Sequence, residues 1–110
     1  DLGAGLMGGM GMAPSADVGD AHAVFQPCHG TAPDIAGRGL ANPTAMFLSA
    51  AMMLDWLGDR HAIPACHRAA AALTQAVEAA FADGALVPVE HGGSAGTAEI
   101  AERVRTKIAV

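Results

Sequence analysis

Between His29 and Asn42 the chain sets an imidazole, a carboxylate and a carboxamide among small residues: His29, Gly30, Thr31, Ala32, Pro33, Asp34, Ile35, then Gly37, Gly39, Ala41 and Asn42. Glycine lets backbone approach a ligand closely, and each polar side chain suits one part of a nucleotide. Asp34 can accept hydrogen bonds from a ribose 2′-hydroxyl, and its charge repels a 2′-phosphate. Asn42 offers both a donor and an acceptor to an adenine edge. His29 can stack on the same ring or bond to it. Pro43 follows at a helix start, where free backbone amides add partial positive charge. The same residues also describe a long surface loop capped by Asn42, with Asp34 merely solvated.

Other candidates carry less. Gly3-Ala4-Gly5-Leu6-Met7-Gly8 fits the dinucleotide pattern G-x-G-x-x-G, but that pattern works only where a β-strand delivers the chain to the turn. Only Asp1 and Leu2 precede it, and with 14 glycines in 110 residues a chance match is the better reading. Cys28 adjoins His29, yet a catalytic Cys-His pair needs a third orienting group and an oxyanion site. Cys28 and Cys66 are too few and too scattered for a disulfide framework or a zinc site. His22, His61 and His67 fall in turn-like or helical-surface contexts without a partner at ligand spacing, and are expected to be solvated. Met46, Met52 and Met53 read as core fillers at helical spacing.

The elements that position these groups are expected to be mainly helices, with a few short strands. Residues 12–18 and 21–27 read as short strands bordering the loop at His29, the second centred on Ala23-Val24-Phe25. A loose, glycine-broken helix is expected from Leu2. Asn42 as N-cap and Pro43 at the first helical position open a helix that runs to Leu57, with Gly58 as its C′ residue. Its interior, Ala45 to Leu54, is apolar nearly all round, which predicts a central buried helix. A second helix spans Pro64 to Ala82 and stops at Asp83-Gly84. Leu86 to Val89 reads as an edge strand, since Pro88 bars a sheet interior, and 91–96 as a glycine-rich turn. Thr97 caps a last helix whose buried stripe is Ile100, Val104 and Ile108.

Composition narrows the class. With a net charge of −5 and six Lys and Arg, no basic stripe exists to neutralise phosphates, which argues against nucleic acid as a partner. The apolar stretch Ala45 to Leu54 covers about half a bilayer span, so no membrane association is expected, and the cysteine usage fits a reducing cytoplasm. The absence of an initiator methionine before Asp1 fits a piece of something longer, and the length allows one domain at most.

The loop closely resembles the nucleotide-binding loop of the β-hydroxyacid oxidative decarboxylases, the isopropylmalate and isocitrate dehydrogenase family. The resemblance runs through Asp1-Leu2, 8–16, 25–43, 45–57 and Gly92-Gly93-Ser94-Ala95-Gly96-Thr97. Homoisocitrate- and isopropylmalate-type members are most similar. It implies that residues 1–110 are the C-terminal part of such an enzyme, lacking the N-terminal portion, and that the complete enzyme is α/β. Gly30 to Asn42 would then wrap the adenosine half of NAD, with His29 and Asn42 near adenine and Asp34 on the ribose. Members that prefer NADP carry Lys and Tyr where this chain has Asp34 and Ile35. Gln26 stands where the family usually has Glu, near the nicotinamide and its ribose. Glu90-His91 replaces a common Asp-Leu pair, so Glu90 is an adenosine neighbour by position only. In the family, Gly3 to Gly8 lies in a helix entering the dimer core.

The resemblance further implies a Mg²⁺ or Mn²⁺ site, in which Asp1 aligns with the second of two aspartates one helical turn apart. The reaction it implies is hydride transfer from a substituted malate (isopropylmalate, homoisocitrate, tartrate or malate) to NAD, then loss of CO₂, in a homodimer. The family's catalytic Tyr and Lys and its substrate arginines have no counterpart here, and no catalytic residue is assigned within this stretch. These 110 residues alone are expected to be inactive. The alternative is a catalytically inactive, truncated nucleotide-binding or interaction module.

Overall fold

A computed structural model of the chain describes residues 9–108. The glycine pattern at Gly3 to Gly8, the helix expected from Leu2, and Asp1 lie outside them.

A 3-10 turn at Met10–Met12 leads into an antiparallel hairpin of β1 (Pro14–Val18) and β2 (Ala23–Pro27), in which Ala16 lies opposite Phe25. The Gly19 amide donates to the His22 carbonyl at 2.8 Å and closes the turn. On β2, partly buried Ala23, Phe25 and Pro27 alternate with exposed Val24 and Gln26, the period expected of a half-buried strand. Phe25 lies 6.2 Å from Trp56, the Arg60 guanidinium sits 5.7 Å over Trp56, and Arg60 donates to the Asp20 carbonyl at 2.7 Å. These contacts hold the hairpin against the first long helix.

That helix, α1, spans Thr44–His61. Asn42 Oδ1 accepts from the Thr44 amide at 3.1 Å and from the Thr44 hydroxyl at 2.6 Å, an Asx turn that satisfies a first-turn donor. At the other end the helix runs through Gly58, so Gly58 is not its C′ residue. Ala62 takes that position in the left-handed region at φ 53°, and the Ile63 amide donates to the Gly58 carbonyl at 3.0 Å, the six-to-one closure of a Schellman motif. Gly58 instead makes room for a neighbouring side chain, since a Cβ there would sit 2.7 Å from the His67 ring.

Helix α2 spans Pro64–Phe81 and α3 spans Thr97–Lys107. Their facing stripes, Ala76, Val77 and Ala80 on α2 and Ile100 and Val104 on α3, build the core together with Leu86 and Ala95 from the segment between them, and Phe47, Leu48, Leu73 and Phe81 pack against it. Small side chains recur where helices meet, including Ala45, Ser49 and Ala51 on α1 and Ala70 on α2, so backbones approach closely.

Several expectations are corrected. Helix α1 is not buried all round: Met46 is 53% and Met53 38% exposed, while Met52 is half-buried, so these methionines are not core fillers. Residues 86–89 form no strand; Leu86 is buried, Pro88 makes one isolated parallel bridge to Ala95, and Val89–His91 winds into a 3-10 turn. Ile108 lies past the end of α3 and is exposed, leaving Ile100 and Val104 as the buried stripe. Thr97 begins the helix rather than capping it from outside. The stretch is mainly helical with two short strands, as expected. Among the described residues no helix is long and apolar enough to cross a membrane.

Candidate functional site

The residues from His29 to Asn42 leave β2, fold through local turns and enter α1. Ala32 lies in the left-handed region at φ 43° and opens a 3-10 turn, Pro33–Ile35, with Pro33 at its first position. Amides of Ile35, Ala36 and Arg38 donate to the carbonyls of Ala32, Pro33 and Ile35 at 3.1, 3.3 and 3.2 Å. Gly37 and Gly39 carry positive φ, +77° and +69°, which a side chain would disfavour. A left-handed alanine is a strained position of the kind found at ligand sites.

This loop forms one wall of a cleft of about 830 Å³, a size typical of small-molecule sites. His29, Gly30, Thr31, Ala32, Ile35, Ala41 and Asn42 line it, together with Gly37, Gly39 and Leu40. The facing wall comes from Met10, Gly11, Val89, Glu90 and Thr97. Of the residues singled out from sequence, Pro33 and Asp34 are exposed on the turn between Ala32 and Ile35 and do not line the cleft. Gln26 is exposed on β2, opposite Ser15, and is likewise outside the lining.

Hydrogen bonding settles what the lining side chains can offer. His29 Nδ1 donates to the Gly30 carbonyl at 2.8 Å, because a carbonyl can only accept; a neutral ring then presents Nε2 as an acceptor. Asn42 is more committed than its type suggests. Its oxygen serves Thr44 twice and its amide nitrogen lies 3.3 Å from Met12 Sδ, so its acceptor is already spent on the helix start. The Glu90 carboxylate rests on Gly11, where a Cβ would lie 2.7 Å from Oε1. Cys28 Sγ lies 3.7 Å from the Ala13 carbonyl, and both cysteines are free thiols.

In the wall facing the loop, sequence reasoning named Glu90 but missed Thr97 and its bonds to the loop. The Thr97 amide donates to the Gly39 carbonyl at 2.9 Å, and the Thr97 hydroxyl donates to the Ala41 carbonyl. Gly96 permits this approach, since a Cβ there would sit 2.5 Å from the Gly39 oxygen. Gly93 tucks beneath Val87, whose carbonyl also accepts from the Ala95 amide at 3.0 Å. The visible signal was the run of glycines before Thr97; which backbone it approaches depends on the tertiary fold. His67 is not simply solvated either: its Nδ1 is 3.0 Å from Asp55 and its Nε2 3.1 Å from Asp59. Among the described residues no group of three or more His, Cys, Asp or Glu side chains could hold a metal ion.

Residues 1–104 match the profile of the isocitrate/isopropylmalate dehydrogenase family. The chain is 51% identical over 104 residues to isocitrate/homoisocitrate dehydrogenase of Thermus thermophilus, covering 94% of this chain and 29% of that protein. It is 45% identical over 108 residues to 3-isopropylmalate/3-methylmalate dehydrogenase of Methanocaldococcus jannaschii, covering 98% and 30%. Among solved structures, isocitrate dehydrogenase from Methylococcus capsulatus superposes with a TM-score of 0.83 at 39% identity over 98% of this chain and 30% of that one. The chain belongs to the isocitrate/isopropylmalate dehydrogenase family, a family of decarboxylating dehydrogenases, and spans about 30% of the length of these relatives.

Proposed function

We propose that this chain is the C-terminal part of an NAD-dependent, divalent-metal-dependent oxidative decarboxylase acting on a 3-substituted malate, and that it contributes the adenosine-binding loop. The observation that carries this reading is the cleft between residues 29–42 and the wall of Val89, Glu90 and Thr97. The names of its relatives, isocitrate, homoisocitrate and isopropylmalate dehydrogenases, support the substrate class. Isopropylmalate, homoisocitrate, tartrate and malate all fit it.

Within the cleft, Ile35 and Leu40 supply apolar surface for a base, and His29 Nε2 can accept from the 6-amino group of adenine. Thr31 and the Gly30 backbone offer further polar contacts at the same wall. Asn42 acts mainly through the loop-to-helix junction it fixes, with its remaining N–H available to the base. Asp34, on the turn set by Pro33 and flanked by the lining residues Ala32 and Ile35, holds the ribose hydroxyls and repels a 2′-phosphate. Gln26 keeps hydrogen-bonding capacity toward the nicotinamide ribose without the charge of a glutamate. The coenzyme, when bound, accepts the hydride.

Asp1 is the one metal ligand in this reading. It lies outside the described residues, so the fit of Mg²⁺ or Mn²⁺ rests on the family resemblance, and such an ion would polarise the carbonyl of a β-keto acid. A homodimer in the cytoplasm, and inactivity of this stretch alone, complete the proposal. The test is Asp34→Lys in the protein that carries this chain. The ratio of NAD to NADP efficiency should fall by about tenfold or more. An unchanged ratio removes Asp34 from the ribose site, and failure of the parent protein to bind NAD overturns the reading.

A further inference from the structure

Gly37, Gly39, Leu40 and Ala41 belong to the cleft wall. Gly37 and Gly39 both have positive φ, and the bonds around them are short-range turns. Among the described residues, the hydrogen bonds that tie this segment to a distant element both come from Thr97: amide to Gly39 carbonyl at 2.9 Å, and hydroxyl to Ala41 carbonyl across a sequence separation of 56. Thr97 itself is anchored, being the first residue of α3, whose Ile100 is fully buried in the core. On its other side Gly96 leaves no room for a side chain against the Gly39 oxygen.

We propose that Thr97 is a positioning residue for the coenzyme: a two-bond latch that holds residues 39–41 in the shape an adenine dinucleotide needs. The inference rests on the coenzyme reading above. A flexible loop must be ordered at the moment of binding, which weakens affinity, whereas a loop held beforehand has already met that cost. The side-chain half of the latch needs a hydroxyl and no particular bulk. Serine therefore preserves it, while valine keeps the shape of threonine and removes the bond.

The experiment compares Thr97→Val, Thr97→Ser and Gly96→Ala in the protein that carries this chain. It reads amide hydrogen exchange of residues 37–42 without ligand, the Kd for NAD, and KM for NAD beside kcat. Thr97→Val should speed exchange in that segment and raise Kd and KM for NAD by roughly three- to tenfold, with kcat nearly unchanged. Thr97→Ser should restore both. Gly96→Ala, which keeps the hydroxyl but drives a Cβ toward the Gly39 carbonyl, should act like Thr97→Val. Unchanged exchange in Thr97→Val overturns the latch, and faster exchange with unchanged NAD affinity overturns its role in positioning coenzyme. A parent protein that binds no NAD overturns the coenzyme role through the functional reading, and the exchange measurement then reports separately whether the latch exists.

Discussion

His67 stands between two carboxylates of α1, one on each side of Gly58, and its ring occupies the notch left by the missing Cβ. A protonated ring can donate from both nitrogens. The hydrogen bond to Asp55, ahead of the charges of Asp59 and Asp55, therefore raises His67 above the ordinary histidine value. Because the folded-state value is the higher one, the stabilisation is complete below the unfolded value of about 6.5 and is lost as pH climbs through the folded value. The urea midpoint of the protein should therefore fall as pH rises from about 6 to about 8. His67→Gln should flatten this component of the pH profile. An identical slope in the variant would show that the bridge contributes nothing. Local reading of residue types placed His67 on a helical surface correctly but missed its partners, because they belong to the preceding helix.

Helix ends show how two local rules compete. Glycine is the favoured C′ residue, which pointed to Gly58, but the helix continues until Ala62 adopts the left-handed conformation. Pro64, two residues on, was the sequence mark of that stop, since proline commonly follows a helix C-cap. Alanine in the left-handed region carries a steric cost that glycine does not. Ala62→Gly should stabilise the protein by about 0.5–1 kcal/mol, read as a rise in denaturation midpoint; a fall would mean that the lost chain stiffness outweighs the relieved strain. The hairpin was legible from alternation along 23–27, whereas 86–89 was not. Pro88 removes a ladder donor, and the segment is shaped by Gly93 packing beneath Val87.

Across the molecule, the core is built from small side chains with few large ones to anchor it. Among the described residues Ile100 is the largest fully buried one, and it joins α3 to Ala76, Val77 and Ala80 of α2. Ile100→Ala should cost about 2–5 kcal/mol, measured by chemical denaturation. The same packing carries Thr97 to Gly39 and Ala41, so under the proposed function Ile100→Ala should also weaken NAD binding more than an equally destabilising change in the hairpin. Equal effects on binding would separate the core from the loop. Met46 and Met53 lie exposed on the apolar stretch 45–54 of α1.

Local order along the chain was enough to place the long helices, the hairpin strands and the loop at 29–42. Their signals are short-range: prolines at helix starts, alternation on a strand, and polar groups set among glycines. The family was legible for the same reason, since its motif is one uninterrupted run. Contacts between distant residues decided the rest. They fixed Gly58 as a seat for His67, committed the Asn42 oxygen to Thr44, and made Thr97 and Glu90 the wall opposite the loop. No pattern of residue types specifies which backbone a glycine will touch, because that choice is made by how the helices pack.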